Sequence, residues 1–81
     1  MRQLVTNPGQ VGGILRGRRK ARKLSQEELA SKLGISQARL STLETSPAGL
    51  TLDRFLVLAK LLGLELVLQD ASVAPRTKSE W

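Results

Sequence analysis

The stretch Leu24-Ser25-Gln26-Glu27-Glu28-Leu29-Ala30-Ser31-Lys32-Leu33-Gly34-Ile35-Ser36-Gln37-Ala38-Arg39-Leu40-Ser41-Thr42-Leu43-Glu44 decides the fold. Ser25 followed three residues later by Glu28 is a capping box: the hydroxyl can accept the Glu28 N–H while the carboxylate reaches back to the Ser25 N–H. A helix starts there. It ends at Gly34, because glycine enters the positive-φ region without a Cβ penalty and so suits a tight C-terminal turn. Ser36 then caps another helix, which continues through Glu44 until Ser46 and Pro47 interrupt it. Two short helices across so brief a turn predict a helix-turn-helix, and the side chains agree. Ala30 is small where the helices cross, Leu40 and Leu43 anchor the second helix against Leu29 and Leu33, and Ile35 plugs the space under the turn.

Upstream, Thr6, Asn7 and Pro8 read as the start of an earlier helix running to about Lys23, with Val11, Ile14, Leu15 and Arg18 on one face. Its glycines at 9, 12, 13 and 17 each cost up to about 1 kcal/mol relative to Ala. They do not form a phosphate loop, since no Gly-Lys-Ser/Thr follows, which leaves close packing or a weak helix. Downstream, Thr51 and Asp53 open a helix whose apolar positions Leu52, Phe55, Leu56, Ala59 and Leu62 keep a helical period up to Gly63. From Leu64 to Gln69 the period changes to alternation, with Leu64, Leu66 and Leu68 on one face, as in a half-buried strand. A lone strand is unstable, so pairing with its copy in a second subunit is the economical solution. Leu4-Val5 is another candidate partner, and a frayed extension of the preceding helix is the alternative. Residues 71–81 are too polar to bury their backbone and read as a flexible tail ending in Trp81.

The chain has 81 residues, a formal charge of +6 and 41% hydrophobic residues, with one Phe, one Trp, no Tyr, no His and no Cys. This length allows one domain of modest stability, for which a partner subunit would help. The positive charge favours a polyanionic partner, because Lys and Arg that neutralise phosphates release condensed counterions. Without His, Cys or Tyr most acid, base, nucleophile and zinc-ligand chemistry is missing, so neither an enzyme nor a cofactor or metal is expected. No apolar run spans a membrane and no secretion signal is visible, which points to the cytoplasm.

The 24–44 stretch closely resembles the lambda-repressor/Cro (Xre) helix-turn-helix family, over about Val11 to Leu62, with the phrase around Gln26-Glu27-Glu28-Leu29-Ala30 among the more diagnostic short patterns for a DNA-binding fold. The fold expected is therefore all-α: a four- to five-helix lambda-repressor-like domain over residues 8–63, an N-terminal arm over 1–7 and a dimerisation strand over 64–70. If Ile35, Leu40 and Leu43 face the core, then Ser36, Gln37, Ala38, Ser41 and Thr42 face outward. The resemblance implies that the N-terminal half of this helix enters the major groove of double-stranded DNA. Gln37 can bond adenine N6 and N7 together, Ala38 or the Thr42 methyl can meet a thymine methyl, and Ser36 or Ser41 can bond several base edges. Arg39 contacts guanine or a phosphate. By resemblance Gln26 holds a phosphate oxygen, and the basic run from Arg16 to Lys23 adds phosphate contacts, Arg22 and Lys23 foremost.

Within the family the chain is most similar to HipB-type antitoxins, through its short length, the alternating Leu64–Gln69 segment directly after the last helix and the polar tail ending in Glu80-Trp81. That resemblance implies an autorepressor binding a palindromic operator as a homodimer, Leu64, Leu66 and Leu68 pairing between subunits, and a kinase-fold toxin engaged by the tail. Trp81 is independently a candidate anchor, as a large aromatic with no core to enter. A stand-alone repressor would share everything through Leu62 without needing Trp81, and a purely neutralising interaction module would not need Gln37 or the basic run. An RNA-binding role lacks the stacking aromatics it would use.

Overall fold

The computed structural model describes residues 1–71. Four helices, α1 (Pro8–Ala21), α2 (Gln26–Leu33), α3 (Gln37–Thr45) and α4 (Leu52–Leu61), are joined by short turns, with one 3-10 turn at Pro47–Gly49 between α3 and α4. The expected all-α architecture is thus present, and each boundary has a local cause. At α2 the capping box is closed in both directions, Glu28 N–H to Ser25 Oγ at 3.0 Å and Ser25 N–H to Glu28 Oε1 at 2.9 Å. These bonds hold the exposed Glu28 carboxyl below its ordinary pKa. Gly34 takes φ 78°, and Ile35 N–H then bonds back to the Ala30 carbonyl at 3.0 Å. Ser36 and Thr51 cap α3 and α4 through the N–H groups of Arg39 and Arg54.

Helix α1 stops two residues short of the expected Lys23, because Lys23 itself adopts φ 58° and turns the chain into α2. A β-branched or bulky residue is costly in this region, and among the described residues the Lys23 side chain makes no hydrogen bond that would offset the cost. At the other end Gln10 Oε1 accepts the N–H groups of Thr6 and Asn7. Gly63, at φ 71°, ends α4 and excludes its frayed continuation past Leu64. Residues 64–70 carry neither helix nor a ladder with any described segment, Leu4-Val5 included, although the Arg2 guanidinium donates to Gln69 Oε1 at 2.6 Å.

Leu15, Leu29, Ala30, Leu40, Leu58 and Leu62 form one contiguous core to which all four helices contribute, and Ile35, Phe55 and Leu64 pack partly buried against it. Leu43 is also buried. The α1 glycines divide into two kinds. A Cβ on Gly12 would run into the Glu44 carbonyl oxygen, so α1 and the end of α3 cross at backbone contact. Gly13 and Gly17 face open space. Gly13→Ala and Gly17→Ala should therefore each stabilise the fold by about 0.5 to 1 kcal/mol, by favouring helix and narrowing the unfolded ensemble. A higher urea midpoint at unchanged m-value would show it.

Candidate nucleic-acid interface

Helix α3 presents one exposed edge. Ser36, Gln37, Ala38, Arg39 and Thr42 are exposed and Ser41 is half-buried, while Leu40 and Leu43 point into the core. This division follows from the helical period, since Leu40 and Leu43 lie three apart on the face opposite Ala38 and Thr42. Part of the polar capacity of this edge is already engaged. The Ser36 oxygen caps the helix and the Thr42 hydroxyl donates to the Ala38 carbonyl at 3.1 Å. Thr42 is left with its methyl and its two acceptor lone pairs, whereas the Gln37 amide keeps most of its donors and acceptors.

Gln37 is the outer member of a hydrogen-bonded chain that leads into the core. Its Nε2 donates to Gln26 Oε1 at 3.4 Å, and Gln26 Nε2 donates to Glu44 Oε1 at 3.0 Å. Glu44 is only 3% exposed and is gripped from its other side by Arg19, itself 7% exposed. Arg19 Nε meets Glu44 Oε2 at 2.7 Å, Nη2 meets Oε1 at 3.2 Å, and Nη1 donates to the Leu24 carbonyl at 2.9 Å. Burial pushes the Glu44 carboxyl up, but the bonds from Arg19 and Gln26 and the charges of Arg19 and Arg16 outweigh it and hold the group below the usual carboxylate range. Among the described residues no buried polar side-chain atom lacks a partner. Gln26, at the first turn of α2, is thus bonded to α3 twice, through Gln37 and Glu44, and is linked to α1 through the Arg19–Glu44 pair.

The basic run is divided by the same geometry. Arg19 does not flank any ligand; it is a core residue, because its position four after Leu15 turns it inward toward Glu44. Arg18 donates to the Leu62 carbonyl at 2.9 Å, and Arg22 Nη1 would lie 2.7 Å from a Cβ on Gly63. Both guanidinium groups thus sit at the C-terminal end of α4, where a cation complements the helix dipole. Lys23, Arg16 and Lys20 are exposed, and Arg16 is near enough to Glu44 to influence its charge. Gln26 and Gln37 are brought together; Arg22 is placed against Gly63.

A helix-turn-helix family model matches residues 15–69 of this chain. The chain is similar to the Antitoxin HipB of Escherichia coli strain K12, with 33% identity over 78 residues, 96% of this chain and 89% of that protein. The chain belongs to the HipB-type helix-turn-helix family. The Antitoxin HipB of Escherichia coli O6:H1 is 32% identical, over 96% of this chain and 83% of that protein. Among solved structures, the HipA-HipB-O2-O3 complex superposes with a TM-score of 0.77 at 32% identity, covering 88% of this chain and 100% of that one. The HipB-O4 20mer complex does so with a TM-score of 0.77 at 34% identity and the same coverage.

In this HipB-type fold the segment expected to pair between subunits leaves its apolar side chains uncovered by the rest of the chain. Leu64 leans partly on the core, whereas Leu66, Val67 and Leu68 are exposed, Leu68 fully. Leu52, Leu56 and Val57 on α4 are exposed as well. Trp81, the expected toxin contact, and the tail over 72–81 lie outside the described residues. Among those residues no His, Cys, Asp or Glu cluster could hold a metal ion, and no helix is long and apolar enough to cross a membrane. Sequence reasoning did not find the Arg19–Glu44 pair. The signal was there: both are charged residues at core-facing helical positions, Arg19 one turn after Leu15 and Glu44 beside Leu43.

Proposed function

We propose that this chain is the antitoxin and autorepressor of a type II toxin-antitoxin module, working in the cytoplasm and without enzymatic activity of its own. It binds a palindromic operator as a homodimer and neutralises a HipA-like kinase toxin. One observation carries the reading: the exposed Gln37 edge of α3 stands beside Gln26 at the start of α2, in a chain 33% identical to Antitoxin HipB over nearly its whole length. Two copies paired through Leu64, Leu66 and Leu68 place their α3 helices in successive major grooves, about 34 Å apart. The exposed apolar residues of 66–68 and α4 supply the surface for that pairing. Ser36, Ala38, Arg39, Ser41 and Thr42 complete the base-facing edge, and Gln26 with Arg22 and Lys23 holds phosphates on either side.

Gln37→Ala is expected to cost about 1 to 3 kcal/mol on the operator and to relax discrimination at one base step. Lys23→Ala is expected to weaken operator and random DNA alike. Titrations on both duplexes at fixed salt separate the two, and equal losses for Gln37→Ala would remove it from the base-reading set. The antitoxin role is tested by pull-down from host lysate with the full chain and with a chain cut after Ala71. A single kinase-fold protein retained only by the full chain, with both forms binding DNA, supports a toxin contact made through Trp81. If both bind DNA and neither retains a partner, the chain is a stand-alone repressor.

A further inference from the structure

We propose that Glu44, a buried residue that touches no ligand, determines which base Gln37 reads, by setting the polarity of the two amides between it and the surface. The inference rests on the DNA-reading role proposed above for Gln37. An ionised carboxylate only accepts hydrogen bonds, and Arg19 only donates them. Arg19 holds the Glu44 carboxylate ionised and in place through Nε and Nη2. The Gln26 atom facing Glu44 must then be its nitrogen, 3.0 Å from Oε1. Gln26 consequently turns its oxygen toward α3, and the atom of Gln37 that meets this oxygen must be a nitrogen, as the 3.4 Å contact has it. An amide whose two ends look alike in shape is in this way assigned by its partners.

The result at the surface is a defined pattern. Gln37 uses one N–H inward and presents its oxygen and its second N–H outward. That pair matches the N6 donor and N7 acceptor of adenine. Glu44→Gln reverses the logic while keeping the shape. The new amide keeps its oxygen at the shorter Arg19 contact, the Oε2 position 2.7 Å from Nε, so its nitrogen takes the Oε1 position facing Gln26 and gives up the longer 3.2 Å bond from Nη2; Gln26 and Gln37 each turn over in response. Against adenine held in the same place, the outward amide then meets donor with donor and acceptor with acceptor. Against guanine, O6 accepts the reversed nitrogen, so the preference of adenine over guanine collapses. Glu44 is thus a positioning residue for specificity.

The test selects a preferred site for the full wild-type chain from a randomised duplex pool, then measures affinity for that site and for each of its adenine-to-guanine variants. Glu44→Gln, Gln26→Met and Gln37→Ala are measured on the same duplexes. The expected result is one adenine per half-site preferred at least tenfold over guanine by wild type, a preference abolished by Gln37→Ala. Glu44→Gln should reduce that ratio at least tenfold at this position while ratios elsewhere change less than twofold. A purely structural Glu44 lowers affinity for all duplexes in proportion and leaves the ratio intact, which overturns the proposal, as does a ratio insensitive to Gln37→Ala. If Glu44→Gln does not fold by circular dichroism, Gln26→Met breaks the chain at its middle, and the same ratio decides in the same way. Failure of wild type to select any site overturns the operator reading itself; a selected site with an unchanged ratio overturns only the role of Glu44.

Discussion

Arg19→Ala is expected to lower the unfolding free energy by about 3 to 5 kcal/mol, a large share of the stability of so short a chain. The cause is what stays behind. Without Arg19 the Glu44 carboxylate, 3% exposed, keeps only Gln26 as a direct partner among the described residues. The Leu24 carbonyl also loses the donor that ties the end of α1 to the start of α2. Arg19→Met with Glu44→Leu should recover most of the loss, because a well-packed apolar pair avoids the desolvation cost that the ion pair must offset. Urea denaturation of the wild type and the two variants measures both effects, and a double variant no more stable than Arg19→Ala would count against the ion pair as their source.

The same pair predicts the sign of the pH response. In the wild type the folded Glu44 pKa lies below its ordinary value. Its contribution is therefore complete above the unfolded value of about 4.3 and is lost as pH falls through the folded pKa. In Arg19→Ala burial is the dominant remaining influence and pushes the carboxyl up. The folded state then binds the proton more tightly than the unfolded state, and the variant should gain stability as pH falls from neutrality toward 4.3. In thermal melts from about pH 7 down to about 4.3 the contribution of this group should therefore stay constant in the wild type while the variant gains stability, and the wild type should lose it only below about 4.3.

Gly12→Ala should destabilise the fold at the upper end of the about 1 to 3 kcal/mol typical of overpacking, despite the helix propensity that alanine adds. A methyl at this position meets the Glu44 carbonyl oxygen, and Pro47 Cδ closes the other side at 3.4 Å. Neither is the far end of a flexible side chain, so α1 and the end of α3 must separate to admit it. That shift would also move the Glu44 side chain away from Arg19 and Gln26. Gly13→Ala, one residue along the same helix and facing open space, is the internal control and should have the opposite sign. Equal effects from the two substitutions would mean that α1 and α3 do not cross at backbone contact.

The helix-turn-helix was legible because its signals are local. Ser25 with Glu28, Gly34, Ser36 and Thr51 act within four residues of themselves, and the 3.6-residue period assigns Leu40 and Leu43 inward and Gln37 outward without reference to the rest of the chain. The amino-acid sequence by itself thus determined the helices, the turn between α2 and α3 and the exposed edge of α3. Tertiary structure alone decided what each member of the basic run meets: six cations between Arg16 and Lys23 look alike in sequence, yet Arg19 enters the core, half-buried Arg18 donates to the end of α4 and Arg22, though exposed, lies against Gly63. It also decided which glycine is needed and that Gln26, Gln37 and Glu44 form one chain of bonds. Those outcomes depend on partners up to 44 residues away, Leu62 for Arg18 among them. No local rule carries that separation, because which groups meet is set only when the helices pack.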